Sequence, residues 1–171
     1  LESLISFDLD SGGDVSSPEK AFNPALLAKA VKMEKLVLIN QGIRDLTFLQ
    51  NMKELKALNL NFNPAIEKIE TLKAMQGLIQ FSCANCGLTA VDFLSSLTNL
   101  EILQLSGNPL TSHQVLAGLK KLRSLDISKT NLSSVAVLAE LQSLEELLIG
   151  VNEINDISPL AKLTKIREFD I

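Results

Sequence analysis

The stretch LEILQLSGNPL, Leu100 to Leu110, decides the fold. Its apolar side chains Leu100, Leu103, Leu105 and Leu110 fall at offsets one, four, six and eleven, with Asn108 at offset nine. The template recurs with starts at Met33, Leu55, Leu78, Leu100, Leu122, Leu144 and Ile166, spaced 22, 23, 22, 22, 22 and 22 residues apart. A fixed period of roughly 20 to 29 residues means one small unit stacked on copies of itself. Offsets three to seven alternate with period two and point offsets four and six inward, which predicts a short strand in every repeat. The predicted strands are Lys35–Ile39, Ala57–Asn61, Gln80–Ala84, Ile102–Ser106, Ser124–Ser128, Glu146–Gly150 and Glu168–Ile171. The 17 residues between Ile39 and Ala57 are too many for a hairpin, so the strands run parallel and the rest of each repeat crosses over.

The crossovers have their own pattern. Offsets 11, 14, 17 and 20 are apolar: Leu88, Val91, Leu94 and Leu97 in one repeat, Leu132, Val135, Leu138 and Leu141 in another, Ile154, Ile157, Leu160 and Leu163 in the last complete one. A spacing of three suits 3₁₀ turns, not a long α-helix. Offset nine reads Gln41, Asn63, Cys86, Asn108, Thr130 and Asn152, a polar ladder expected to satisfy main-chain groups at the bend. Pro64 and one extra residue lengthen the 23-residue repeat, moving its outer positions to Ile66, Ile69, Leu72 and Met75. His113 stands at offset fourteen, near the start of an expected short helix SHQVLAGLKKL, Ser112 to Leu122, capped by Thr111 or Ser112.

Residues 1–32 form an irregular long repeat. Leu4, Phe7 and Leu9 predict a strand over Ser6–Asp10, and SGGDVSSPEK at 11–20 reads as a loop, with a protruding recognition loop as its functional alternative. Asn23 as N-cap, Pro24 as first residue, and Leu26, Leu27 and Val31 at helical spacing predict a short helix from about Pro24 to Lys32.

Composition narrows the function classes. The net charge of −4, with acids and bases interspersed, lacks the basic stripe of a nucleic-acid binder. No apolar run approaches the ~18 residues of a membrane span, so no membrane insertion is expected. The chain has neither Trp nor Tyr, which weighs against a glycan-stacking surface. No signal peptide is recognisable. The chain lacks a first Met and stops inside a repeat at IREFDI, so a fragment of a longer protein is expected.

The repeat pattern is that of leucine-rich repeats. The stretch NEINDISPLAKLTKIREFDI, Asn152 to Ile171, resembles the 22-residue repeats of bacterial internalins. SLTNLEILQLSGNPL is similar to the same short class in a regulatory subunit of eukaryotic protein phosphatase one, and Ile157-Ser158-Pro159-Leu160 favours the bacterial side. The resemblance implies an α/β fold: a right-handed leucine-rich repeat solenoid with a parallel sheet on the concave face, short 3₁₀ or helical turns on the convex face, and protein partners. It also favours a cell-surface or secreted location, whereas two cysteines make no disulfide framework and leave a cytoplasmic one open. Within these 171 residues no N-terminal helical cap, cysteine-rich flank, immunoglobulin-like domain or cell-wall anchor is recognisable, a departure from the family's pattern. One domain, 1–171, is expected: the irregular repeat 1–32, six regular repeats over 33–165, and the start of another at 166–171.

Catalytic and metal chemistry find little footing. Cys83 and Cys86 form CANC, but Cys83 takes a buried core offset and Cys86 a ladder offset, so both are expected to pack as free structural cysteines. A structural zinc site needs four ligands, and His113, the only histidine, is about a repeat away. No nucleophile, base and acid fall in matching register, and the phosphate-loop, HExxH and EF-hand motifs are missing. An enzyme is not expected, nor any cofactor or metal.

The outward strand positions are free to vary without touching the core. Candidate partner contacts are Val37, Ile39, Asn59, Asn61 and Phe62 toward the N-terminal end, Gln80, Ile102 and Gln104 centrally, and Asp126, Glu146, Leu148 and Val151 toward the C-terminal end. Val37, Ile39 and Phe62 are expected to form one exposed apolar cluster, and Leu148 with Val151 a second. Asp126, Glu145, Glu146, Glu168 and Asp170 interleave with Arg123, Lys129 and Arg167, which reads as a salt-bridged face. The leading expectation is a non-catalytic module binding a protein on its concave face. The alternatives are a structural spacer or sensor domain of a larger protein, and a glycan-binding surface domain.

Overall fold

The computed structural model describes residues 1–10 and 22–171; the loop expected at 11–20 lies outside them. Eight strands form one parallel sheet in chain order: β1 (Ser6–Asp10), β2 (Lys35–Ile39), β3 (Ala57–Asn59), β4 (Gln80–Ser82), β5 (Ile102–Gln104), β6 (Ser124–Asp126), β7 (Glu146–Leu148) and β8 (Glu168–Asp170). Register is strictly repeat on repeat, with Leu36, Leu58, Phe81, Leu103, Leu125, Leu147 and Phe169 side by side. A single period sets both the strand and the crossover, so equal offsets meet. The crossovers contain 3₁₀ turns at Thr47–Asn51, Ile69–Ala74, Asp92–Ser96, Gln114–Gly118, Ala136–Leu138 and Ser158–Lys162. Strands pack about 4.8 Å apart, closer than the bulkier turns behind them can, so the stack curves with the sheet on its concave side.

The core lies between sheet and turns. Leu100, Leu103 and Leu105 are fully buried from the strand side, and Leu94, Leu97 and Leu116 from the turn side. Each such leucine contributes roughly 1.5–3 kcal/mol by leaving water. Phe81 and Phe93 join the two halves edge to face, with ring centroids 5.8 Å apart.

Four sequence expectations are corrected. The helix expected over Pro24–Lys32 is a 3₁₀ turn, Pro24–Leu27, capped as foreseen by the Asn23 side chain, which accepts from the Ala25 N–H at 3.1 Å. The Leu26, Ala28, Ala30 and Met33 N–H groups donate from i to i−3 and Val31 N–H to Lys29 O, with Leu27 and Ala30 buried while Leu26 and Val31 face outward. The two cysteines are not free: Cys83 and Cys86 are joined in a disulfide across the bend, Cα to Cα 5.6 Å. The five strands β3 to β7 end two residues earlier than the alternation predicts. The offset-nine ladder also proves to alternate between two kinds of bend.

The last two have one cause. Past offset five, half of the ladder survives: Leu60, Cys83, Leu105 and Ile127 still donate to the next strand. The returning bonds are taken by side chains instead. The Asn108 amide donates to the offset-six carbonyls of Cys83 (2.8 Å) and Leu105 (2.7 Å), while its Oδ1 accepts from Cys86 N–H (3.1 Å) and Leu88 N–H (2.9 Å). Asn63 and Asn152 repeat this fourfold pattern on their own neighbours. Two amides two residues apart converge on one oxygen only if the residue between them is left-handed. Gly87 (φ 69°) and Asn131 (φ 60°) meet that demand, and a Cβ on Gly87 would stand 2.9 Å from the Pro64 carbonyl oxygen. Bends that carry Asn themselves have Pro64, Pro109 or Glu153 at that position. Thr130, in the other kind of bend, donates to Ile127 O at 2.6 Å.

Candidate interaction face

Leaving the sheet requires a left-handed residue at offset eight in each regular repeat, whichever kind of bend follows. Asn40, Phe62, Asn85, Gly107, Lys129 and Val151 all have φ between 53° and 71°. Asn and Gly adopt this region readily; for Phe, Lys and above all β-branched Val it costs about 1–2 kcal/mol. The resulting rim turns these side chains off the core. Phe62 is 50% exposed and Val151 75%, so the strain is not offset by burial. At Gly107 the Asn85 carboxamide lies where a Cβ would be.

The other candidate contacts divide by burial. Val37 is only 8% exposed, which removes it from the expected exposed cluster: between the flanking strands of Asp8 and Asn59 it is covered. Ile39 and Leu148 are half-buried beside the rim, as is Ile102 further along the sheet. Asn59 and Asn61 are half-buried too, and their side chains serve the main chain: Asn59 Oδ1 accepts from Asn61 N–H at 3.0 Å, and Asn61 Oδ1 from Ala84 N–H at 2.7 Å. Gln80 is exposed, and Gln104 Oε1 accepts from the Ser82 hydroxyl at 2.9 Å. The structure therefore brings the candidates onto one outward face, with Phe62 and Val151 its most exposed apolar members.

The C-terminal end is not the salt-bridged face that interleaved charges suggest. Only Arg123 and Glu145 pair there, at 3.0 Å, on the row just before the strands; their attraction holds the Glu145 carboxyl below its ordinary range and raises the Arg123 guanidinium. Asp126 Oδ1 instead accepts from Ser128 N–H at 3.0 Å, and Glu146 Oε2 from the Ser124 hydroxyl at 2.5 Å. A cleft of about 410 Å³ runs beside them, lined by Glu101, Ile102, Arg123, Glu145, Glu146 and Glu168 among others. A second, of about 310 Å³, lies at the other end against Asp8, Asp10, Lys35 and Asn59.

His113 belongs to the packing. It precedes the 3₁₀ turn Gln114–Gly118, which replaces the expected helix; Ser112 Oγ accepts there from Gln114 N–H at 3.4 Å, and Thr111 donates to Thr89 O instead of capping. The Thr130 hydroxyl donates to Ile127, which leaves its oxygen to accept from His113 Nε2 at 3.1 Å, and burial lowers the imidazole pKa. Among the described residues, no group of three or more His, Cys, Asp or Glu side chains is placed to hold a metal ion, and no helix is long and apolar enough to cross a membrane.

Residues 76–114 match the family model described as leucine rich repeats, in two copies. No curated protein matches the chain by sequence. An internalin (inlF) of Listeria monocytogenes is similar in structure at TM-score 0.85 and 26% identity, over 98% of this chain and 47% of that one. Internalin C2 of the same species gives TM-score 0.81 and 26% identity, over 86% of this chain and 65% of that one. A leucine-rich repeat protein of Leptospira interrogans shares the fold at TM-score 0.74 and 21% identity, over 87% of this chain and 45% of its own. The chain spans about half the length of the first internalin. Its 22-residue repeats, eight parallel strands and 3₁₀ turns make a leucine-rich repeat fold similar to that of the internalins.

Proposed function

We propose that the chain is a non-catalytic protein-binding module that receives its partner on the concave face, through the outward residues from Ile39 and Phe62 to Leu148 and Val151. The observation that carries this reading is the strained, exposed apolar rim: Phe62 and Val151 occupy left-handed backbone and remain in water. The bend demands left-handed backbone at this offset, but Asn or Gly would meet that demand at less cost, and exposed apolar side chains kept there are expected at sites held for another purpose. Exposed apolar side chains at a concave surface are suitable anchors, because a few buried anchors supply most interface energy. The solenoid itself is a common scaffold for protein–protein interaction, and the three similar structures named above are bacterial.

The test is affinity capture from a bacterial source, comparing the parent with a Phe62→Asp, Val151→Asp double variant of matched melting temperature. The reading expects a protein held by the parent and lost by the folded variant. Equal capture by both moves the site off the rim, and capture by neither favours a structural spacer.

A further inference from the structure

The charges of the molecule are distributed unevenly between its faces. The five ion pairs among the described residues, Arg44–Glu67, Lys68–Asp45, Lys73–Glu70, Lys120–Glu140 and Arg123–Glu145, all lie off the outward strand and rim positions. Those positions carry Asp8, Asp10, Asp126, Glu146, Glu168 and Asp170 against two bases, Lys35 and Lys129. None of these eight is ion-paired among the described residues.

Their placement is as uneven as their sign. The acids stand at the two ends of the sheet, on β1 and on β6 to β8, while β3 to β5 present uncharged residues such as Asn59, Ser82 and Gln104. An apolar pair sits next to each acidic end: Ile39 with Phe62, and Leu148 with Val151. Phe62 and Val151 are four strand steps apart, about 19 Å at the spacing of paired strands.

This constrains what can cover the face. A carboxylate buried under a partner without a cation opposite it loses its hydration and gains nothing in return, and an acidic partner adds repulsion. We infer that the concave face takes a basic protein surface: two apolar side chains about 19 Å apart, each flanked by Lys or Arg, with uncharged hydrogen-bonding groups between them. The inference rests on the concave face being the docking surface and adds the partner's chemistry to it.

The probe is a labelled synthetic peptide, Lys-Phe-Lys-Gly-Ser-Asn-Lys-Phe-Lys, whose phenylalanines stand six residues apart, about 20 Å when extended. Its affinity is measured at low salt for the parent chain, for the variant Asp10→Asn, Glu146→Gln, Glu168→Gln, and for the variant Glu54→Gln, Glu70→Gln, Glu140→Gln. The second variant removes the same charge from residues off the face, and melting curves confirm that all three are folded. Binding roughly tenfold weaker in the first variant, and within about twofold of the parent in the second, supports the inference. Equal losses in both, parental binding no tighter than that of a Glu-for-Lys peptide, or no binding to the parent, overturns it. Should the peptide fail while the rim double variant still loses its captured protein, the docking reading stands and only the basic partner falls.

Discussion

Replacing Asn108 with Ala should be among the most damaging single changes in the solenoid. The side chain is fully buried and makes four hydrogen bonds, to Cys86 N–H, Leu88 N–H, Cys83 O and Leu105 O, at 2.7 to 3.1 Å. Truncation strips those four main-chain groups of this partner inside a tight bend. At about 1 kcal/mol of net stability per bond the loss is about 4 kcal/mol, a large part of the roughly 5–15 kcal/mol that holds a domain folded. Asn108→Thr should lose less, about 3 kcal/mol, because a hydroxyl there can donate to Leu105 O as Thr130 does to Ile127 O. Thr130→Val removes that donation together with the hydroxyl's acceptance from His113 Nε2, and should cost about 2 kcal/mol. Equilibrium urea unfolding followed by far-UV circular dichroism measures all three, with equal m-values as the check that one transition is compared. If Asn108→Ala costs no more than Thr130→Val, the ladder is not what closes the bends.

Further consequences follow from single positions. Gly87→Ala sets a Cβ against the Pro64 carbonyl in left-handed backbone and should cost at least 1 kcal/mol, whereas Val151→Gly relieves strain at an exposed site and should add about 1 kcal/mol; thermal melts decide both. Leu125→Ala opens a cavity in the sealed core and should cost roughly 2–5 kcal/mol in the same urea assay. Burial holds the His113 pKa below its ordinary 6.5, so the unfolded chain binds this proton first. Its stabilising contribution is complete above pH 6.5 and is lost as pH falls from there through the folded pKa; His113→Gln should flatten stability between pH 7 and 5 relative to the parent. Lys68 Nζ lies 2.8 Å from Asp45, and its hydrogen bond is the main reason that carboxyl titrates at about 2; in Lys68→Gln its midpoint by NMR should move up toward 3.8.

The sequence carries the period, the parallel sheet and the 3₁₀ turns because each rests on apolar spacing. All eight strands begin where the offsets place them, and Leu88, Val91, Leu94 and Leu97 are buried together as spacing of three requires. Strand ends were less legible, since they depend on which side chains take over the ladder: Asn59 and Asp126 bind the N–H two residues on. The alternating bends were open to view in Gln41-Gly42, Asn63-Pro64, Cys86-Gly87 and Asn108-Pro109, where glycine and proline take opposite backbone regions at one offset. Asn40, Asn85 and Gly107 likewise announce the left-handed rim, while Phe62, Lys129 and Val151 give no such signal and are held there by their neighbours. On the candidate face, alternation identified the outward positions but not their burial. Val37 looks outward by register and is covered by flanking strands, a packing effect that no local pattern records.

The most direct test of the central claim is an amide hydrogen-exchange footprint of the chain, free and with the protein it captures. Binding on the concave face predicts slowed exchange along the strand-to-rim segments 35–42, 57–64, 102–108 and 146–152, with the 3₁₀ turns at Asp92–Ser96 and Gln114–Gly118 unchanged. Protection confined to those turns, with the strand-to-rim segments exchanging as in the free chain, would contradict it.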